Sequence, residues 1–165
     1  MKETLLTVLE NTRLADGIYR LRLAGDTSAI TAPGQFVNLK LSGFFLRRPI
    51  SVCDWENGEV TLIYKVLGHG TEAMTGMAVG TALDVLTGLG NGFDLSCSGE
   101  HPLLVGGGVG IPPLYGLAKR MTAQGKRVTA VLGFNRKSEI FLAEEFRALG
   151  AEVVIATADG SAGIH

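Results

Sequence analysis

The sequence predicts a β + α/β fold, an antiparallel six-stranded β-barrel followed by a parallel α/β unit. Three observations carry this. Residues 1–98 contain six short runs rich in β-branched and aromatic residues, with turn signals between them. From Ser98-Gly99 onward the pattern becomes apolar runs alternating with helical segments, in the order β-α-β-α-β. Between the first of those runs and the first of those helices lies Val105-Gly106-Gly107-Gly108-Val109-Gly110-Ile111-Pro112-Pro113. Clustered glycines between a strand and a helix leave backbone N–H groups free at the positive end of a helix dipole.

In the first part, strands are expected at Thr4–Glu10 and Ile18–Leu23, joined through Ala15-Asp16-Gly17. Phe36–Leu41 follows Pro33-Gly34 with apolar and polar residues alternating. Ile50–Trp55 and Val60–Leu67 flank Glu56-Asn57-Gly58, and an Asn-Gly pair is a strong hairpin signal. A short helix over Thr71–Met77, capped by Thr71, precedes the last strand, Thr81–Leu86.

In the second part, Leu103–Val105 is a buried strand. Leu114–Met121 is a helix, with Pro112-Pro113 in its first turn and Gly125 past its end. Val128–Leu132 is the next strand. Ser138 caps a helix running to Leu149, stopped by Gly150, and Val153–Ala156 is the third strand. Right-handed crossovers make this sheet parallel. The expected domains are 1–98 and 99–165, the second short for a Rossmann-like unit and read as incomplete at its C-terminus.

Composition excludes several classes. The net charge of −1 gives no electrostatic reason to expect nucleic acid or an acidic membrane surface. No apolar run approaches a membrane span, and the N-terminus lacks a secretory pattern, so the expected address is cytoplasmic. Cys53 and Cys97 form no C-x-x-C and read as small buried hydrophobes. His69, His101 and His165 lack ligand spacing, so no metal site is expected.

Four motifs carry chemistry. Arg47-Arg48-Pro49-Ile50-Ser51 sets a guanidinium before a strand and a hydroxyl three residues on. The first suits a diphosphate, the second a polar ring edge. Arg48 and Ser51 lie on opposite faces of a regular strand, so Pro49 is expected to distort it. Gly68-His69-Gly70-Thr71 offers a backbone turn and a helix start, or only an ordinary capped turn. Gly88-Leu89-Gly90-Asn91-Gly92-Phe93 reads as a tight loop against something flat or against the neighbouring domain, or as a connector. The fourth, Gly108 to Pro113, has the spacing G-x-G-x-x-P; it is neither a P-loop nor a nucleophile elbow.

In this order the four motifs resemble the ferredoxin-reductase-like flavoprotein family, and within it the electron-transfer subunits of type-B dihydroorotate dehydrogenases. Tyr64-Lys65-Val66-Leu67 before the Gly68 turn, Gly133-Phe134-Asn135-Arg136 and Thr157-Ala158-Asp159-Gly160-Ser161 also match. The resemblance implies FAD on the barrel, with Arg48, Pro49, Ile50, Ser51, Tyr64, Lys65, Gly68, Gly70 and Thr71 around it. Arg48 would clamp the diphosphate, Gly70 and Thr71 would meet phosphate or ribityl, and Ser51 would sit at the catalytic ring edge. Gly107, Gly108, Gly110 and Pro112 would receive NAD(P).

The implied activity is that of an FAD-dependent subunit passing electrons between NAD(H) and a partner. That partner would be the catalytic dihydroorotate dehydrogenase subunit of pyrimidine biosynthesis, in a hetero-oligomer, or with a homodimer of this subunit. The resemblance also implies a [2Fe–2S] cluster in the intact protein, for which this chain holds no ligands. The strand before Asn135 lacks the terminal acidic residue that holds a ribose 2′-hydroxyl, which leaves NAD against NADP open. Two alternatives stand beside this reading. One is a related reductase serving a ferredoxin, sulfur or glutamate-synthase-type partner; the other is a non-catalytic flavin-binding module.

Overall fold

The structure is a computed structural model that describes residues 1–164; His165, weighed above as a metal ligand, lies outside the described residues. Six antiparallel strands close a barrel: β1 (Lys2–Ala15), β2 (Ile18–Gly25), β3 (Phe36–Leu39), β4 (Arg48–Glu56), β5 (Glu59–Lys65) and β6 (Ala82–Leu89). Their order around the barrel is β1-β2-β5-β4-β3-β6. The turn signals form where expected. Asn57 and Gly58 have φ of 52° and 80°, as the first hairpin class requires, and Gly17 has φ 68°. The strand β1 is longer than its alternation suggests, because register shifts at Val8/Glu10 and Arg13/Ala15 break the period of two.

Inward residues Leu6, Val8, Leu21, Leu23, Val37, Leu39, Val52, Leu62 and Val85 fill the barrel. Helix α1 (His69–Thr75) plugs it with Met74, which is fully buried. The cap of α1 is Gly68, not Thr71. Thr71 sits inside the first turn, where its hydroxyl accepts from the Leu67 and Gly68 N–H groups at 2.9 and 3.2 Å.

The second unit has β7 (Leu103–Gly107), α2 (Ile111–Ala123), β8 (Thr129–Phe134), α3 (Ala143–Ala148) and β9 (Glu152–Thr157). The three strands are parallel, in the order β7-β8-β9. The helix expected from Ser138 to Leu149 is not continuous. A 3-10 turn covers Lys137–Glu139, Leu142 takes φ 63°, and α3 begins only at Ala143. Phe141, Leu142 and Ala143 are all buried. Successive helical side chains diverge by about 100°, so one helix face cannot bury three in a row. The chain breaks the helix to bury them, and Phe141 packs edge-on to Phe134.

The two units share a core. Ile18, Cys53 and Ile63 of the barrel belong to the same buried cluster as Leu117, Ala118 and Met121 of α2. Gly116 is what lets α2 approach, since a Cβ there would stand 2.6 Å from the Cys53 carbonyl oxygen. Lys119 donates to Asp54 at 2.7 Å and Glu56 at 3.1 Å, and Arg120 lies over the Trp55 ring at 3.7 Å. This packing fixes how the strand ends of the α/β sheet face the barrel.

Candidate functional site

The first cleft lies at the rim of the barrel. It encloses about 500 Å3 between the loop before β4 and the start of α1, lined by Phe44, Arg48, Leu67, Gly68, His69, Gly70 and Thr71. Arg48 is held from three sides. Its guanidinium lies over the Phe44 ring at 5.1 Å, donates to the Leu46 carbonyl at 2.6 Å and rests on Gly70. A Cβ at Gly70 would come within 2.1 Å of the Arg48 Nε. The glycine of the second motif therefore makes room for the arginine of the first, a pairing that neither motif reveals alone.

The neighbouring Arg47 does different work. It donates to both Asp84 carboxylate oxygens, at 2.9 and 3.1 Å, and to Glu3 at 2.9 Å. Its charge is spent within the barrel wall, so Arg48 is the guanidinium that faces the cleft.

Pro49 does not distort β4 as expected. The pairs Leu39–Arg48, Asn38–Pro49, Val37–Ile50 and Phe36–Ser51 run in unbroken register, and the irregularity falls later, between Val52 and Asp54. Arg48 and Ser51 consequently stay on opposite faces, Arg48 reaching over the rim and Ser51 standing on the outer wall with Pro49. Three strand residues separate them by about 10 Å, so one ligand meets both only if it is extended. Ile50 turns inward and packs against the barrel core.

The second cleft, of about 530 Å3, lies outside the C-terminal ends of β7, β8 and β9. Parallel α/β sheets characteristically bind ligands there. It is lined by Gly107, Gly108, Gly133, Phe134, Asn135, Glu139, Ala156, Thr157, Ala158 and, from the barrel, Lys65. Gly108 has φ +50°, and a Cβ added to it meets no atom within 4 Å. Its missing side chain thus keeps open a space that no other part of the chain fills. By contrast, a Cβ at Gly106 would come within 2.6 Å of Leu114, so that glycine serves packing.

An acidic residue does face this cleft, five positions beyond the end of β8 where the strand-end rule looks. Glu139 is buried, and its carboxylate accepts from Asn135 at 3.0 Å, Arg136 at 3.1 Å and Lys65 at 3.4 Å. Burial pushes its carboxyl up, but the hydrogen bonds from Arg136 and Asn135 and the charge of Lys65 outweigh this and hold it below its usual value. A depressed folded value stabilises the fold above the unfolded value of about 4.3, and that contribution is lost as the pH falls through the folded value. Glu139→Gln is expected to lower stability by about 1–3 kcal/mol at neutral pH. In urea unfolding, the gap between wild type and Glu139→Gln should hold down to about pH 4.3 and shrink below it; a gap that stays constant well below about pH 4 would exclude an ionised Glu139 from the network.

Several expected site residues lie elsewhere. Tyr64 is sealed in the barrel core, 1 % exposed, where it stacks on Tyr19 and donates to Asn11 at 3.1 Å. Burial pushes its phenol up to about 12, so it neither lines a cleft nor exchanges a proton at neutral pH. Pro112 is buried in the first turn of α2, and Gly110 is exposed as the cap of α2; neither lines the sheet-end cleft. The hydroxyl of Thr71 is taken up by the turn that shapes the first cleft.

The loop from Gly88 to Phe93 packs on the barrel. Gly88 and Gly92 lie against Ala29 and Ala32, Phe93 covers Gly34, and Gln35 donates to the Gly90 carbonyl at 3.0 Å. The loop closes the barrel on itself. Phe44 and Glu139 lie outside every motif the sequence offers, and Leu67 and His69 stand inside two of them without an expected role.

Among the described residues no group of three or more potential ligands surrounds a metal position, and no helix is long and apolar enough to cross a membrane. Cys53 is buried, and its thiol is pushed up by burial and by the charges of Asp54 and Glu145. Cys97 is exposed in a 3-10 turn, contrary to its expected burial, and donates to Asp94 at 3.2 Å. Four protein ligands hold an iron–sulfur cluster, and these residues do not fit one.

No family model matches the chain. It is 46% identical over 171 aligned positions to the electron transfer subunit of dihydroorotate dehydrogenase B (NAD(+)) from Bacillus pumilus, covering 99% of this chain and 66% of that protein. The same subunit of Fusobacterium nucleatum is 42% identical, with 95% and 63% covered. The chain thus spans just under two thirds of the length of these relatives. Among solved structures, an NADH-dependent reduced ferredoxin-NADP oxidoreductase superposes with a TM-score of 0.86 at 31% identity, covering 98% of this chain and 59% of that one. Phthalate dioxygenase reductase superposes with a TM-score of 0.80 at 20% identity, covering 96% and 52%, and shares the fold.

Proposed function

This chain belongs to the ferredoxin-reductase-like flavoprotein family, and we propose that it is the flavin- and NAD-binding part of a dihydroorotate dehydrogenase B electron transfer subunit. The observation that carries the reading is the adjacency of the two clefts. Lys65 borders the sheet-end cleft, and Leu67 to Thr71 border the rim cleft. Lys65 and Leu67 are two residues apart, an extended span of about 7 Å. Two bound nucleotides seated in these clefts would lie side by side.

The residues of the rim fit FAD. Arg48 meets the diphosphate with a fixed guanidinium, and Gly68 and Gly70 keep the backbone low beside it. Ser51 and Pro49, on the outer wall, border the ring. FAD supplies the hydride and single-electron chemistry when bound. Gly107 and Gly108 let a dinucleotide backbone approach the end of β7, and the relatives' specificity points to NAD(H). No side chain is asked to move a proton. Lys65 and Glu139, bonded across the junction, hold the two binding surfaces in register.

Residues 1–98 are then the flavin unit and 99–165 the nucleotide unit. The catalytic dihydroorotate dehydrogenase subunit is the expected partner in a hetero-oligomer, in the cytoplasm. The test is direct. The purified protein should be yellow, or should take up one FAD per chain on titration, with its absorption spectrum and intact mass recorded together. A colourless protein that takes up no added FAD would refute the proposal.

A further inference from the structure

We propose that an apolar groove on the far wall of the barrel is the surface on which the catalytic dehydrogenase subunit docks. The inference rests on the reading of this chain as part of an electron transfer subunit, and it gives that partner a place. The groove, of about 620 Å3, lies between loop 40–47, which joins β3 to β4, and the C-terminal end of α1. Leu5, Leu41, Phe44, Met77 and Leu83 line it, together with the Lys40–Asp84 ion pair at 3.5 Å. Apolar side chains beside a few polar ones are the anatomy of a protein interface. The α/β unit leaves this wall free. It packs on the β2-β5-β4 side through Ile18, Ile63 and Cys53, whereas the groove opens on the β3-β6-β1 side.

The barrel's own folding does not account for the side chains around this groove. Leu5 takes an outward position of β1, between outward Glu3 and Thr7, and is 69% exposed. Outward positions on a solvated antiparallel wall are normally polar. Val79, two residues from Met77, is also 69% exposed, and Phe45, next to Phe44, is fully exposed. The loop that carries Phe45 is held at both ends. The Lys40 N–H donates to the Asp84 carbonyl at 2.9 Å, and the Arg47 guanidinium donates to the Asp84 carboxylate at 2.9 Å. An aromatic side chain presented from a fixed backbone loses little freedom on association and makes a strong anchor. It alone offers about 200 Å2. With Leu5, Val79 and the groove, the apolar area is on the order of several hundred Å2, enough for the core of an interface of about 800 Å2 per partner. The site itself says which protein sits there. Phe44 belongs to both the groove and the rim cleft, so whatever fills the groove also reaches the mouth of the flavin cleft. A protein that exchanges electrons with the flavin needs that approach. A second copy would bring only another flavin with its own nucleotide.

The test is the affinity of the FAD-loaded protein for the purified catalytic dihydroorotate dehydrogenase subunit of the same organism, measured by calorimetry. Phe45→Ser removes the anchor, and Ala73→Trp fills the groove from an exposed position of α1. Each is expected to weaken the complex at least about tenfold, the scale of an interface anchor. FAD uptake and the urea unfolding midpoint should match wild type in both, because both positions are exposed. Wild-type affinity in both variants would overturn the inference and leave the flavin reading standing. So would a wild-type protein that holds FAD and does not bind the catalytic subunit. Sedimentation of the same samples covers the remaining occupant: self-association lost in Phe45→Ser, with partner affinity unchanged, would give the groove to a second copy and overturn the inference. A wild-type protein that takes up no flavin would remove the reading beneath it as well.

Discussion

Replacing Arg48 by alanine is expected to weaken FAD binding about ten- to hundredfold, with the fold intact. A hydrogen bond to a charged group is worth about 1.5–3 kcal/mol, which is that range in affinity. The upper part of it is expected here because the guanidinium is already fixed. Phe44 lies beneath it, the Leu46 carbonyl accepts from it, and the absent side chain of Gly70 leaves it room. A group fixed before binding loses little freedom on binding. The matched control is Arg47→Ala. Its guanidinium is committed to Asp84 and Glu3, so that variant should lose stability and keep its flavin affinity. FAD titration of both variants decides the matter. Equal flavin affinity in Arg48→Ala and wild type would remove Arg48 from the site.

Gly108→Val is expected to have the opposite signature, retaining FAD and losing NAD(H). The backbone at Gly108 has φ +50°, which costs a non-glycine residue about 1–2 kcal/mol. That is a tolerable local strain. The added side chain meets no protein atom within 4 Å, so its bulk enters the sheet-end cleft. Filling a close-fitting contact with extra methyl groups costs about 1–3 kcal/mol, equivalent to roughly five- to hundredfold in NADH affinity. The measurement is NADH binding to the FAD-loaded variant beside its flavin content. Unimpaired NADH affinity would move the nucleotide away from the end of β7.

The barrel was legible because its turns announce themselves. Asn57-Gly58 and Asp16-Gly17 demand left-handed backbone, and few sequences supply it except at hairpins. The strand ends were less legible, because the bulges in β1 interrupt the alternation that marks a strand. The broken helix after Ser138 hid for a related reason: Ile140-Phe141-Leu142-Ala143 reads as helical by propensity, and only the need to bury three consecutive side chains breaks it. The site divides the same way. Backbone-defined residues, such as Gly108 and Gly70, could be read from glycine spacing. Side-chain walls could not. Phe44, Leu67 and His69 come from two separate segments, and only closure of the barrel brings them together around Arg48. Tyr64 shows the converse. It stands inside a recognisable motif, yet strand parity turns it into the core, where its ring packs and its hydroxyl finds Asn11. Glu139 escaped because the acidic residue was sought at the end of β8, whereas the 3-10 turn carries it back into the cleft.

The central claim is that a flavin at the barrel rim and a pyridine nucleotide at the sheet ends lie close enough to exchange a hydride. The most direct measurement is anaerobic titration of the FAD-loaded protein with NADH, following the long-wavelength flavin absorption band. The adjacency of the clefts predicts stoichiometric bleaching of that band in the wild type and its loss in Gly108→Val. A flavin that stays oxidised in the wild type while NADH is bound would contradict the account.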